Sequence, residues 1–191
     1  MTSVTIFGSG NMGTAIAGVL TTGGAVVEHV GSADSDATIG GDIVILAVPY
    51  PSLGDIVAKY APQLAGKVVV DITNPLNFET FDSLTVSAES SAAAELAAAL
   101  PSSKVLKAFN TTFAATLAAK AVGPNKTTVL IAGDDADAKA VLAAAITAGG
   151  VDAVDAGALS RARELEAVGF LQLTLAVAEK IGWTGGFGIV R

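Results

Sequence analysis

Short hydrophobic runs, rich in β-branched residues, alternate along the chain with longer segments that suit helices. The runs cover residues 4–7, 25–30, 42–48, 67–72, 104–109, 127–132 and 151–154. Those that read "DIVILAV" and "KVVVDI" are apolar without alternation, which is typical of parallel strands covered on both faces. Helices fit between nearly all of these runs. The pattern predicts an α/β fold with a doubly wound, mostly parallel Rossmann sheet.

One connection is too short for that fold. Only "GSADSDATIGG", residues 31–41, separates the second run from the third, where a standard dinucleotide fold places a helix and a further strand. A segment of this length cannot hold both with their turns. We therefore expect the sheet to be abridged after its second strand.

The C-terminal segment "SRARELEAVGFLQLTLAVAEKIGW" predicts a helix with Ser160 as its N-cap and with Glu164 and Glu166 near its positive end. Between residues 167 and 178 only Gln172 and Thr174 are polar, so the helix is apolar nearly all round. Such a helix should be covered on two sides. One side can face its own sheet.

The second side of this helix has two possible coverings. We favour a homodimer whose interface includes Phe170 and Leu173 or their neighbours, with Gly169 allowing the backbones to approach. The alternative is a helix buried in the core of a monomer.

Length, composition and charge set the class of protein. A chain of 191 residues predicts one dinucleotide-binding domain, residues 1–191, in which residues 158–191 form a C-terminal helix and tail. The chain has no cysteine, which excludes disulfides and removes the usual ligands of a structural zinc site; we expect no metal. The mean hydropathy is +0.60, yet no apolar stretch reaches the roughly 18 residues of a membrane span.

The remaining bulk features concern location and partners. The N-terminus has no signal-peptide pattern, so we expect a soluble, cytoplasmic protein. A net charge of −7 and a pI near 4.5, with no basic stripe, disfavour nucleic acid as a partner.

A glycine turn carries the first chemical signal. In "TIFGSGNMGTAIAGVL", Gly8, Gly10 and Gly13 form G-x-G-x-x-G between a predicted strand and a predicted helix. Gly8 permits the tight bend, Gly10 lets the backbone approach a pyrophosphate, and Gly13 lets the helix pack on the strand. The free N–H groups at the start of the helix then face the anion. The motif predicts binding of a dinucleotide.

The end of the second strand bears on which dinucleotide is bound. The acid that usually binds the ribose hydroxyls of NAD should lie near Val30, Gly31 and Ser32, and no carboxylate stands there. The amides of Gly31 and Ser32, with the Ser32 hydroxyl, could instead bind a 2′-phosphate. Glu28 and His29 are interpreted as polar residues of the strand itself.

Three further strand ends carry neutral polar residues, in "AVPYP", "DITNPLN" and "AFNTT". Such residues suit a carboxamide and a ring edge, although each alone could be a turn or a cap. A carbonyl reductase also needs a proton donor. Only Tyr50 and Lys107 are near strand ends; Tyr50 is interpreted as part of a wall, and Lys107 as a lysine that snorkels or pairs. We assign no catalytic residue, since hydride transfer between two bound cofactors needs only alignment.

The motifs "IFGSGNMGTAIA", "ILAVPYP", "VVDITNPLN", "VLKAFNTT", "DAGALSRARELE" and "GWTGGFG" together resemble the NADP-dependent oxidoreductases that reduce the deazaflavin coenzyme of archaea and actinobacteria. The resemblance extends to the flavin-using domain of membrane ferric reductases. It implies a homodimer formed partly through the C-terminal helix, NADP(H) as the cofactor and a flavin or deazaflavin as the second substrate.

The resemblance also implies a set of site residues. Those for the cofactor are Gly8, Ser9, Gly10, Asn11, Met12, Gly13, Gly31, Ser32, Ala47, Val48, Pro49, Tyr50, Ile72, Thr73, Asn74 and Pro75, and those for the acceptor are Asn110 and Thr111.

Two departures from the family weaken the preference for NADP over NAD, and one is that the missing helix and strand would lie beside the pocket at Gly31 and Ser32. The family usually has arginine after the "GS" pair, whereas Ala33 follows here, with Asp34 and Asp36 close behind. Two other functions stay open: a sensor or regulatory subunit that binds NAD(P) without chemistry, and a small ketone or imine reductase.

Overall fold

The computed structural model describes residues 1–34 and 36–190 and contains a mixed sheet of seven strands. In the order β2-β1-β3-β4-β5-β8-β9, the sheet is built from β1 (Ser3–Phe7), β2 (Val26–Val30), β3 (Ile43–Leu46), β4 (Val68–Asp71), β5 (Lys104–Lys107), β8 (Thr128–Gly133) and β9 (Asp152–Gly157). A small antiparallel hairpin is formed by β6 (Ala121–Val122) and β7 (Asn125–Lys126). The helices are α1 (Asn11–Thr22), α2 (Leu53–Leu64), α3 (Ala92–Ala99), α4 (Ala114–Ala119), α5 (Ala136–Ala148) and α6 (Ala162–Val177).

The strand directions bring five carboxyl ends to one edge. β1 to β5 run parallel, β8 is antiparallel to β5, and β9 is parallel to β8. Each of the seven hydrophobic runs forms a strand, which confirms the predicted doubly wound, mostly parallel sheet. Loops that follow β1 to β5 therefore meet at the same side of the molecule, where ligands bind in this class of fold.

Both faces of the sheet are buried, as the unalternating runs predict. One core layer contains Ile6 and Leu106 of the strands with Ile16 of α1, and it also takes in residues of α4 and α5. The opposite layer contains Phe7 and Leu46 and is covered by α2 and α3. The side chains on successive strand positions thus enter two different hydrophobic clusters.

The abridged connection is confirmed. Residues 31–34 and 36–41, the described part of the link from β2 to β3, contain neither a helix nor a strand. β2 is consequently an edge strand. The pocket at its carboxyl end has no further strand beside it.

The predicted N-cap of the C-terminal helix is wrong. Ser160 lies inside a 3₁₀ turn, Leu159–Arg161, and α6 begins only at Ala162 with no side-chain cap. The turn forms because the Leu159 N–H donates to the Asp134 carboxylate at 2.9 Å and the Leu159 side chain is buried. These contacts hold the backbone of residues 159–161 in the 3₁₀ turn, so Ser160 does not occupy the N-cap position of α6.

One side of α6 lies against the fold and the other is open. Leu165, Gly169 and Ala176 are buried, while Leu171 and Val177 are about half exposed. Phe170 and Leu173 are only partly exposed. Within the described residues, the fold therefore covers one side of α6, whereas the sequence predicts that two sides are covered. In residues 1–34 and 36–190, no helix has the length and hydrophobicity needed to cross a membrane.

Candidate functional site

The glycine turn joins β1 to α1 with an uncapped helix start. Gly8 has φ +98°, and a Cβ there would collide with the Ala47 carbonyl oxygen. A Cβ on Gly13 would lie 2.5 Å from the Gly8 carbonyl oxygen, whereas a Cβ on Gly10 would meet nothing within 4 Å. Gly10 precedes α1 without a side-chain hydrogen bond to the first N–H groups. The turn thus leaves both space and unpaired backbone donors at the helix N-terminus, as anion binding requires.

The carboxyl end of β2 differs from the sequence-based expectation. Asp34 folds back so that its Oδ2 accepts from the Gly31 N–H at 2.7 Å, and the turn is closed by the Asp34 N–H donating to the Gly31 carbonyl at 3.1 Å. The prediction that no carboxylate stands at this strand end is therefore wrong, and one of the two amides expected to bind a phosphate is already paired. The reason is a local turn, residues 31–34, that folds the Asp34 carboxylate back onto the Gly31 N–H.

The pocket around this end is acidic. It is lined by Glu28, His29, Asp34 and Asp36 among others, with no lysine or arginine in the described lining. The His29 ring Nδ1 lies 2.9 Å from the Gly8 carbonyl oxygen, so the histidine braces the glycine turn. This agrees with its interpretation as a hydrogen-bonded strand residue.

Two asparagines face each other across the ends of β4 and β5. Asn74 Nδ2 donates to the Asn110 carbonyl at 2.9 Å, and Asn110 Nδ2 donates to Asn74 Oδ1 at 3.0 Å and to the Leu165 carbonyl of α6 at 2.8 Å. The Asn110 Oδ1 and Thr73 Oγ1 atoms are buried and have no hydrogen-bond partner within residues 1–34 and 36–190. Two side-chain oxygens at the carboxyl ends of β4 and β5 are therefore without an assigned hydrogen bond among the described residues.

Gly169 of α6 packs directly on this pair. A Cβ at Gly169 would clash with Asn74 Oδ1 and lie 2.9 Å from the Asn110 carbonyl oxygen. The expectation that Gly169 lets two subunits approach is therefore wrong. The close approach occurs within one chain, between α6 and the strand ends.

Beneath the asparagines lies a fully buried ion cluster. Lys107 Nζ is 2.8 Å from Asp71 Oδ2 and 2.8 Å from Glu166 Oε1, and it also donates to the Thr73 carbonyl at 2.6 Å. The sequence-based interpretation that Lys107 snorkels or pairs is resolved in favour of pairing. Because the Lys107 ammonium is bound by both the Asp71 and the Glu166 carboxylates, it is not free to donate a proton to a substrate.

Glu166 has a second role in this cluster. Its carboxylate accepts from the N–H groups of Ala92 and Ala93 at 3.0 and 3.4 Å, at the start of α3. Burial raises the pKa of the Glu166 carboxyl above its ordinary value, and the Lys107 ammonium opposes that rise. The sequence placed Glu166 near the N-terminus of its own helix; it instead binds the N-terminus of another.

Tyr50 is held away from acid–base chemistry. Its hydroxyl donates to Glu95 Oε2 at 2.5 Å, in a groove lined also by Leu53 and Leu96. That hydrogen bond, together with burial, raises the pKa of Tyr50 to about 12. A phenol in this state is a poor proton donor near neutral pH.

A cavity of about 370 Å³ opens where the glycine turn, the strand ends and α6 meet. Five predicted site residues line it: Asn11, Met12, Ile72, Asn74 and Asn110. Six further lining residues were not predicted as site residues, and these are Thr112, Phe113, Ala114, Ala115, Leu173 and Trp183. The sequence-based expectation for Leu173 is a subunit interface instead. Only "AFNTT" and the tail motif gave a sequence signal near any of them.

Other predicted site residues do not line this cavity. They are Gly8, Ser9, Gly10, Gly13, Ala47, Val48, Pro49, Tyr50, Thr73, Pro75 and Thr111, with Gly31 and Ser32 at the separate β2 end. Thr73, Pro75 and Thr111 are buried. Thr111 faces a small cleft beside Gln172 and the tail instead.

Comparison with known proteins gives the chain its relatives. Residues 26–75 match the family model "NADP oxidoreductase coenzyme F420-dependent". The chain is 32% identical over 166 residues to the F420-dependent NADP reductase of Methanocaldococcus jannaschii, covering 85% of this chain and 74% of that protein. It is 35% identical over 136 residues to the rat metalloreductase STEAP3, covering 70% of this chain but only 26% of that longer protein.

A solved structure agrees with these sequences. The crystal structure of a protein assigned as an F420-dependent NADP-reductase from Arthrobacter sp. FB24 superposes with a TM-score of 0.86 at 25% identity, covering 100% of both chains. The chain therefore belongs to the family of F420-dependent NADP oxidoreductases.

Proposed function

We propose that the protein transfers a hydride between NADP(H) and a flavin or deazaflavin. The observation that carries this proposal is the uncapped glycine turn opening beside a cavity walled by neutral amides and aromatic rings. Hydride leaves the reduced nicotinamide, which becomes oxidised, and the acceptor ring gains the hydride together with one proton from solvent. The family relationship supports both substrates.

The chain's own groups suit the two parts of the nicotinamide cofactor. The free N–H groups at the start of α1, after Gly10, would hold the pyrophosphate. Asn11 and Met12 lead from this turn into the cavity. Asn110 lines this cavity, and because its Oδ1 has no hydrogen-bond partner among the described residues, it would be the acceptor for a carboxamide N–H. When bound, the cofactor supplies the hydride.

The acceptor is expected on the other side of the cavity, and the chain contributes alignment rather than acid–base catalysis. Tyr50 and Lys107 are both engaged in short hydrogen bonds or ion pairs. A ketone reductase would need such a group free to protonate an alkoxide. The arrangement therefore favours a ring acceptor that exchanges its proton with solvent.

The test is NADPH oxidation followed at 340 nm with FMN, riboflavin and a 5-deazaflavin as separate acceptors, under anaerobic conditions. Turnover with at least one ring acceptor is expected. NADPH binding measured by calorimetry without turnover on any acceptor would indicate the sensor function instead. Turnover only on small ketones or imines, lowered by roughly 10²-fold in Tyr50→Phe, would indicate the third function.

We also propose that residues 1–191 act as one domain in a cytoplasmic homodimer. The support for a dimer is the exposed apolar surface of α6, which includes Leu171, with Val168 and Val177 at its two flanks. Light scattering at micromolar concentration should give twice the 18.9 kDa chain mass. A monomeric mass would contradict the dimer.

A further inference from the structure

Trp183 is the only tryptophan in the sequence, and it stands at the cavity rather than in the core. It belongs to the tail that follows α6 and is 53% exposed. Its ring centroid lies 5.0 Å from that of Phe113, with the planes inclined at 55°. A large aromatic surface therefore borders the cavity with one partner ring and considerable area still open.

The tail that carries Trp183 is held in place by side-chain and backbone contacts. Gln172, buried within α6, accepts the Phe187 N–H through Oε1 at 3.1 Å. Gly186 has φ +137°, and a Cβ there would lie 3.0 Å from the same oxygen. Gly185 donates its N–H to the Gly182 carbonyl at 2.8 Å. The position of Trp183 follows from a turn anchored on the centre of α6.

The two sides of the cavity have different origins. Asn11 and Met12 belong to the glycine turn and the start of α1, from which the nicotinamide cofactor would enter. Trp183 and Leu173 come from the C-terminal part of the chain. The exposed indole belongs to a different part of the chain from the cofactor turn and is suited to a second planar ring, because stacked aromatic systems attract through dispersion and offset quadrupoles.

We propose that Trp183 is the stacking platform for the heteroaromatic ring of the hydride acceptor. This assignment rests on the function proposed above and adds a residue that selects for planar, multi-ring acceptors. An aromatic platform under a heterocyclic base contributes roughly 1–3 kcal/mol, which corresponds to about a 5- to 150-fold change in affinity. Loss of the indole should therefore act on the acceptor and leave NADPH binding unchanged.

The experiment compares Trp183→Ala and Trp183→Phe with the wild type, using FMN and a 5-deazaflavin as acceptors. Trp183→Ala should raise the acceptor KM by about 5- to 150-fold, while the calorimetric Kd for NADPH stays within about twofold. Trp183→Phe keeps a ring and should recover most of the affinity. The matched control is Phe187→Ala, an exposed aromatic of the same tail that does not line the cavity, and its acceptor KM should not change.

Two results would overturn the assignment. An unchanged acceptor KM in Trp183→Ala would show that the indole does not contact the acceptor, and a selective loss of NADPH affinity would show that it contacts the nicotinamide. Because the chain has one tryptophan, quenching of wild-type emission by the acceptor also measures binding without chemistry. Saturable quenching with no turnover would show that the acceptor binds and would reject the proposed reaction, so a failure of binding and a failure of the reaction are distinguishable.

Discussion

Replacing Lys107 by methionine should destabilise the fold more than any other lysine substitution on β5. Methionine fills nearly the same volume, so the change removes the charge with little cavity. It leaves Asp71 and Glu166, both almost fully buried, without the ammonium that lies 2.8 Å from each. Breaking a buried ion pair from one side typically costs about 3–5 kcal/mol, a large part of the roughly 5–15 kcal/mol that stabilises a domain.

The loss should depend on pH with a definite sign. Burial already raises the folded-state pKa of Glu166, and removal of Lys107 removes the charge that opposed this rise. A carboxyl whose folded pKa is raised contributes stability that is present below its unfolded pKa and is lost as pH rises through the folded pKa. The difference in unfolding free energy between Lys107→Met and wild type should therefore be larger at pH 8 than at pH 5.

Urea unfolding followed by circular dichroism at these two pH values measures the effect, with the slope against urea as a check on two-state behaviour. The matched control is Lys104→Met on the same strand, whose ion pair with Asp135 is solvent-exposed and should contribute little. The double variant Lys107→Met/Glu166→Gln should recover part of the loss because only Asp71 then stays charged. A loss no greater than that of Lys104→Met, or one independent of pH, would refute the reasoning.

The remaining predictions concern the glycines and the β2 end. Gly10→Ala should abolish NADPH binding in calorimetry while leaving the melting temperature unchanged, whereas Gly13→Ala should lower stability by about 1–3 kcal/mol because its Cβ meets backbone. Gly169→Ala should displace α6 from the strand ends and lower both melting temperature and turnover; unchanged values would contradict the tight packing. Because Asp34 already pairs with the Gly31 amide and no arginine is among the described residues that line the β2 pocket, wild type should prefer NADPH over NADH by only about tenfold or less. Ala33→Arg should raise that ratio about a further tenfold by a charge-assisted contact, measured as paired Kd values at fixed salt. An unchanged ratio in Ala33→Arg, or a strong preference of wild type for NADH, would place the phosphate elsewhere.

The sheet and the glycine turn could be read from the sequence because their signals are local. Unalternating apolar runs predict strands buried on both faces, and the spacing of Gly8, Gly10 and Gly13 places a turn between strand and helix. The link of residues 31–41 is likewise too short for a helix and a strand, so its length alone predicts that both are absent.

The parts that were mistaken depend on contacts between distant or folded-back segments. Asp34 reaches Gly31 only because a turn reverses the chain, and the sequence has no glycine or proline at its centre to signal it. Glu166 and Lys107 are 59 positions apart, so no local pattern in the sequence predicts that they pair. Trp183 reaches the cavity through a tail turn that is held by Gln172, another contact between separate elements.

The buried ions explain how a site of neutral side chains can be held rigidly. Lys107 binds the Thr73 carbonyl, the next residue Asn74 pairs with Asn110, and Asn110 donates to the carbonyl of the residue that precedes Glu166. Glu166 then returns to Lys107, so the contacts close into a ring that joins β4, β5 and α6. Hydride transfer between two rings depends steeply on their separation and angle, and the neutral amides alone could rotate. We infer that the charged cluster sets the orientation of the amides without presenting a charge or a proton to the reacting atoms.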